Sequence, residues 1–187
     1  MVRTYRRDGR AGPLGVADSP VAHLGPDLCA AGVDPDAAVA RMATLPEPGT
    51  TVAEVLLDQT VAAGVGNVYK SEILFACGLD PFTPIEAVDA ALQRRLVETA
   101  SRMLRRNLAT SRRTTIEGPP GSVAVHGRQR RPCRRCGTPI RMVHHGAQAR
   151  STYWCPRCQR RPVVGAPPAV APTGPVTEPG CPGNPVP

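Results

Sequence analysis

Pro132-Cys133-Arg134-Arg135-Cys136-Gly137 and Trp154-Cys155-Pro156-Arg157-Cys158-Gln159 are two CxxC knuckles set eighteen residues apart in a chain of 187. A CxxC turn offers two thiolates from one tight loop, and two such turns complete the four-sulfur shell of a closed structural zinc site. The expectation is one Zn2+ held by Cys133, Cys136, Cys155 and Cys158. Between the knuckles, Thr138-Pro-Ile-Arg-Met-Val143 and Arg150-Ser-Thr-Tyr-Trp154 are short runs of strand formers around His144-His-Gly-Ala-Gln-Ala149, the pattern of a β-hairpin with a polar tip. His144 and His145 read as turn residues. Two disulfides or four unrelated thiols fit this spacing less well, and a catalytic zinc needs an open position that four cysteines close.

Working outward, the knuckles lie in a strongly basic block. Residues 111–161 hold twelve Arg against one Glu, a net of +11 in a chain whose total is +8. Such a block is the electrostatic footprint of a nucleic-acid-binding face, because each neutralised phosphate releases counterions. An acidic protein surface would also be attracted. Anionic lipid fits poorly, since the block shows no amphipathic helix.

No apolar run reaches the length of about twenty residues that a membrane helix needs, and the first residues, Met1-Val-Arg-Thr-Tyr-Arg-Arg7, lack the apolar core of a signal peptide. The expectation is a cytoplasmic protein with reduced thiols and no membrane partner. Cys29 and Cys77 sit among apolar neighbours, while Cys181 lies in a polar, proline-rich stretch.

Upstream of the basic block the pattern is helical, so the expected fold class is mainly α: four helices, then the zinc-stapled hairpin and a tail. Residues 1–22 read as an irregular lead, 23–110 as the helical domain, 111–161 as basic segment plus zinc finger, and 162–187 as a disordered Pro- and Gly-rich tail. Asp34-Pro35 opens one helix. Thr51 with Glu54 three residues on forms a capping box for a second that ends near Gln59. A third starts at Asn67 and stops at Gly78. The longest runs from about Pro84 to Leu108, with Ile85, Val88, Leu92, Leu96, Ala100, Met103 and Leu104 at helical spacing.

Leu56-Leu-Asp-Gln-Thr-Val-Ala-Ala-Gly-Val-Gly-Asn-Val-Tyr-Lys-Ser-Glu72 joins the second helix to the third. Gly64 and Gly66 permit backbone angles that side chains forbid, and free N–H groups at the next helix start can grip a phosphate. Asn67 caps that helix or donates to a phosphate oxygen, and Lys70 one turn on would add charge at the same spot. The alternative, a tight helix-helix corner with a capping Asn, fits these residues equally well.

Ala63-Gly-Val-Gly-Asn-Val-Tyr-Lys-Ser-Glu72, with Leu57-Asp-Gln59, Leu79-Asp-Pro81, His126-Gly-Arg128 and the two knuckles through Arg150-Ser-Thr-Tyr-Trp154, resembles the C-terminal half of the formamidopyrimidine-DNA glycosylase/endonuclease VIII family. The likeness runs from about His23 to Arg161. It implies a helix-two-turns-helix domain followed by a four-cysteine zinc finger. It implies that Asn67 is the phosphate-gripping Asn of the double turn, that Gly66 gives the close-approach backbone, and that Arg150 is the finger Arg that clamps phosphates beside the damaged nucleotide. The implied partner is double-stranded DNA, damaged or abasic, bound by a monomer in the bacterial cytoplasm at the nucleoid.

Enzymes of that family begin with a β-sandwich domain whose N-terminal proline, followed by glutamate, forms a Schiff base with the damaged nucleoside. Met1-Val2-Arg3-Thr4 does not match that start, and Asp58 and Glu72 read as a helix-end Asp and a helix-surface Glu, so no catalytic residue is expected in this chain. Two readings follow: the DNA-clamping half of a base-excision glycosylase and AP lyase, or a non-enzymatic zinc-ribbon protein that binds nucleic acid or acts as a scaffold.

Overall fold

Asp34 opens helix α1 (Pro35–Thr44) as the sequence suggests: its side chain accepts the N–H of Asp36 at 2.9 Å and Pro35 fills the first turn. The computed structural model describes residues 23–110 and 112–162; the expected irregular lead and the tail from residue 163 lie outside them. Ala38 and Met42 turn α1 into the core. Before it, residues 25–28 run beside the double turn, with Gly25 N–H donating to Gln59 O at 2.8 Å and Ala63 N–H to Pro26 O at 2.9 Å. A Cβ on Gly25 would stand 2.4 Å from Val61 O, so only glycine allows this approach.

Helix α2 (Val52–Val55) is a single turn with the anticipated capping box of Thr51 and Glu54. It ends at Val55 and not near Gln59. The N–H groups of Leu57 and Asp58 fold back on Glu54 O at 2.9 and 3.2 Å, which tightens the last turn, and the Asp58 carboxylate then captures Thr60 N–H and hydroxyl at 2.8 and 2.7 Å. Helix α3 (Asn67–Cys77) follows and stops at Gly78, whose φ of 71° is left-handed. Gly64 also has a left-handed φ, 110°, but Gly66 is extended, with φ −108°. Its lack of a side chain therefore answers no backbone demand; it leaves open space before α3, where a Cβ would meet nothing within 4 Å.

Helix α4 (Ala90–Arg106) begins later than its spacing suggests. Pro84 to Val88 form a 3-10 turn, Ile85–Ala87, and Asp89 caps α4 by accepting Leu92 N–H at 2.7 Å. The four helices and the 3-10 turn enclose one apolar core, with Leu28, Met42, Leu56, Ile73, Leu74, Leu79, Leu96 and Val97 fully buried.

Strands β1 (Arg141–His145) and β2 (Arg150–Trp154) pair antiparallel in the register Arg141↔Trp154, Val143↔Thr152 and His145↔Arg150. This hairpin and its knuckles build a second, smaller core of Phe75, Ala124, Val125, Ile140, Cys133 and Cys155. Helix α3 lies between the two cores, and every residue from Tyr69 to Phe75 is buried. Beyond it Gly78 and Asp80 pair with Arg160 at 3.0 and 3.1 Å, tying the end of α3 to the exit of the second knuckle. Among the described residues no helix is long and apolar enough to cross a membrane.

Candidate nucleic-acid interface

The four knuckle sulfurs converge: all lie within 4.8 Å of one another, with Cys136 Sγ 3.4 Å from Cys155 Sγ and Cys133 Sγ 3.8 Å from Cys158 Sγ. A tetrahedron with Zn–S of about 2.3 Å has edges of about 3.8 Å, so four sulfurs this close together can close on one Zn2+. They are far too distant for disulfides, and all four cysteines are free thiols. Hydrogen bonds from the Thr138 hydroxyl and N–H bring the Cys136 thiol down to about 6, while burial pushes Cys155 up. A bound zinc supplies the positive charge that lets all four ionise, and with its shell closed its role is structural.

Asn67 reaches the residue that follows Arg150. Asn67 Nδ2 donates to Ser151 Oγ at 2.9 Å, and Arg150, the preceding residue, projects into solvent with its Nε–H on Gln148 Oε1 at 3.1 Å. The first residue of α3 thus lies against β2, the strand that starts at Arg150. Gly66 is the N-cap of α3 with no side-chain cap bond, so among the described residues α3 presents unsatisfied N–H groups and the positive end of its dipole beside that strand. Among the described residues Asn67 Oδ1 is buried without a partner. Turning the amide over would keep the Ser151 contact, with the hydroxyl donating, and would aim Nδ2 at the spot Oδ1 now occupies.

Lys70 does not add its charge at that surface. It is 1% exposed, and its ammonium donates to Ser151 O at 3.1 Å and Thr152 Oγ1 at 2.8 Å. Burial first, then the nearby Arg150 charge, lowers its pKa to about 8. The lysine is a strut between α3 and β2.

Glu72 is not the helix-surface residue that the sequence suggested. It is 1% exposed, and its carboxylate accepts the N–H groups of Ala124, Val125 and His126 at 2.7 to 2.8 Å and the Thr115 hydroxyl. The loop leading to the finger is pinned to α3 by that one side chain. Gln59 went unread too: its Oε1 accepts Gly64 N–H at 3.0 Å and its Nε2 donates to Val65 O at 3.0 Å, closing the double turn from inside. A signal for Glu72 existed, because α3 is apolar on all sides (Val68, Tyr69, Ile73, Leu74, Phe75) and a helix apolar all round is buried with its polar residues partnered.

The sequence matches the family description "Formamidopyrimidine-DNA glycosylase H2TH domain" over residues 24–117 and "Zinc finger found in FPG and IleRS" over residues 131–161. It is 40% identical over 144 residues to the "Probable endonuclease 8 2" of Streptomyces coelicolor, covering 76% of this chain and 51% of that one. It is 46% identical over 142 residues to the "Endonuclease 8 2" of Mycobacterium bovis, covering 75% and 53%. The chain spans about half the length of the curated relatives it matches. Among solved structures it is similar to the MutM (Fpg) protein of Thermus thermophilus, with a TM-score of 0.59 and 31% identity over 73% of this chain and 54% of that one. It shares its fold with the Lactococcus lactis Fpg crystallised with abasic-site DNA, with a TM-score of 0.61 and 22% identity over 74% and 51%. With half of its length under the helix-two-turns-helix description and its cysteine cluster under the zinc-finger one, the chain belongs to the formamidopyrimidine-DNA glycosylase/endonuclease VIII family.

Proposed function

We propose that this chain is the DNA-gripping half of a base-excision glycosylase and AP lyase, holding the phosphates of a duplex that carries a damaged or missing base. The observation that supports the reading is the 2.9 Å bond from Asn67 to Ser151, which sets the start of α3 against the strand that begins at Arg150. A backbone phosphate there meets three kinds of donor: the free N–H groups behind Gly66, the Asn67 amide and the Arg150 guanidinium. The open space at Gly66 lets the phosphate come against the backbone, and the basic block around the finger draws the polyanion in. Lys70 holds Arg150's strand against α3 without touching the ligand. Such a protein works on the bacterial nucleoid in the cytoplasm.

No described residue is placed as an amine nucleophile, since the one lysine of the sequence is buried. Borohydride trapping on abasic DNA is therefore expected to leave no adduct at Lys70, read by peptide mapping of the trapped chain.

Fluorescence anisotropy on the zinc-loaded chain tests the reading, using a duplex with a tetrahydrofuran abasic analogue and its undamaged match across a salt series. Tighter binding to the abasic duplex is expected. Arg150→Ala and Asn67→Ala should each weaken it by about tenfold, and Arg150→Ala should lower the salt slope by about one unit. Equal affinity for both duplexes, or preference for folded RNA, would overturn it.

A further inference from the structure

The tip of the hairpin reaches back to α2. His145, the last residue of β1, sets its Nε2 2.8 Å from Thr51 Oγ1 and 3.4 Å from Glu54 Oε2. Those two residues are already joined as a capping box. The Thr51 hydroxyl donates to Glu54 Oε2 at 2.7 Å, Thr51 N–H donates to the same oxygen at 3.1 Å, and Glu54 N–H returns to Thr51 Oγ1 at 3.4 Å. With the hydroxyl hydrogen on the carboxylate, the tautomer protonated at Nε2 completes the network by donating to Thr51 Oγ1.

Packing closes around this contact. Phe82 stands edge-on to the His145 ring at 5.1 Å and to Trp154 at 4.9 Å, so one ring braces both strands. Gly146 lies directly against Glu54, where a Cβ would come 3.0 Å from Oε1, and its φ of 75° is left-handed. A side chain at 146 would be strained at this φ and would push on the Glu54 carboxylate.

His145 is also the cross-strand partner of Arg150. Arg150 is exposed, with Gln148 as its side chain's one hydrogen-bond partner among the described residues, so its direction is set by the backbone that carries it. Lys70 anchors that backbone on the far side, at Ser151 and Thr152. On the near side the anchor is His145, through the ladder and the four-residue turn between them.

We infer that His145, seated in the Thr51–Glu54 socket, is a positioning residue that presents Arg150 to its phosphate. The helix cap of α2 thereby serves two ends: it starts the helix, and it holds the finger's tip in place before DNA arrives, so less ordering remains to be done on binding. The inference rests on Arg150 being a phosphate contact, as proposed above.

The test is a double-mutant cycle on the full zinc-loaded chain, reading affinity for the tetrahydrofuran duplex alongside zinc content and Tm. His145→Ala is expected to weaken binding by about three- to tenfold in the parent and to have no further effect in an Arg150→Ala background. His145→Gln, whose amide still reaches Thr51, should recover most of the loss. Equal losses in both backgrounds, or no loss in the parent, would overturn the inference and leave Arg150's role standing. If Arg150→Ala itself changes nothing, the functional reading falls and takes this inference with it. Should His145→Ala lose its zinc, Thr51→Ala, which removes the socket hydroxyl without touching the hairpin, goes through the same cycle and the same outcomes decide.

Discussion

Glu72 shows how much one side chain can organise from inside. Three backbone N–H groups and a hydroxyl donate to it, and none of the four is a cation. That arrangement suits an acceptor-only carboxylate and nothing else of its shape. Glutamine in its place would set an NH2 group against N–H donors in a site closed to water. Glu72→Gln is therefore expected to lower stability by about 3 kcal/mol and to free residues 115–126 first. Urea unfolding and amide exchange read both effects; a variant as stable as the parent, with those amides still protected, would show that the loop is held by something else. In the sequence, the capping roles of Asp34, Thr51 and Gly78 were legible because they depend on neighbours within one turn. The roles of Glu72 and Gln59 were not, because their partners are set by the tertiary fold. Glu72 bonds to residues more than forty positions away, and Gln59 acts across a turn whose shape cannot be read from residue type.

At the scale of elements, the helices and hairpin follow local pattern and their ends follow tertiary contact. The periodicity of α4 runs on through Ile85 and Val88, both buried, because a 3-10 turn and a helix can point the same apolar residues inward. Only Asp89, by taking Leu92 N–H, marks where the helix starts. Lys70 departs from the sequence expectation for a related reason: one turn beyond Asn67 would suit the proposed phosphate contact, but β2 packs over that side of α3. Its buried ammonium makes the α3–β2 seam sensitive to pH. Lys70's pKa is lowered from 10.5 to about 8, so between these values the unfolded chain binds more protons than the folded one and stability rises with pH. The parent should gain on Lys70→Met as pH goes from about 7.5 to about 10, seen as a shift in urea midpoint. A midpoint difference that stays flat would mean that Lys70 reaches water.

The molecule as a whole has two cores of unequal independence. The larger core lies within the helical layer and holds no metal ligand, whereas the finger's core includes its own metal ligands. Removing zinc by chelation, or replacing Cys155 with Ser, is expected to leave the far-ultraviolet helix signal nearly unchanged. Both should erase exchange protection in the hairpin and drop DNA affinity at least to that of Arg150→Ala. Loss of the helix signal would show that the layer leans on the finger. What joins the cores at the finger end is Phe75: its ring packs among the finger residues, and Arg135 stacks on it at 4.2 Å while donating to its carbonyl oxygen at 3.1 Å.

Because α3 has no solvent face along Tyr69 to Phe75, the helical layer and the finger cannot be exchanged as cassettes between relatives. A chimera joined near residue 111 would inherit one half of every contact that Lys70, Glu72 and Phe75 make and would have to rebuild the other half by matched substitutions. Recombination breakpoints that preserve function should therefore fall outside this pair.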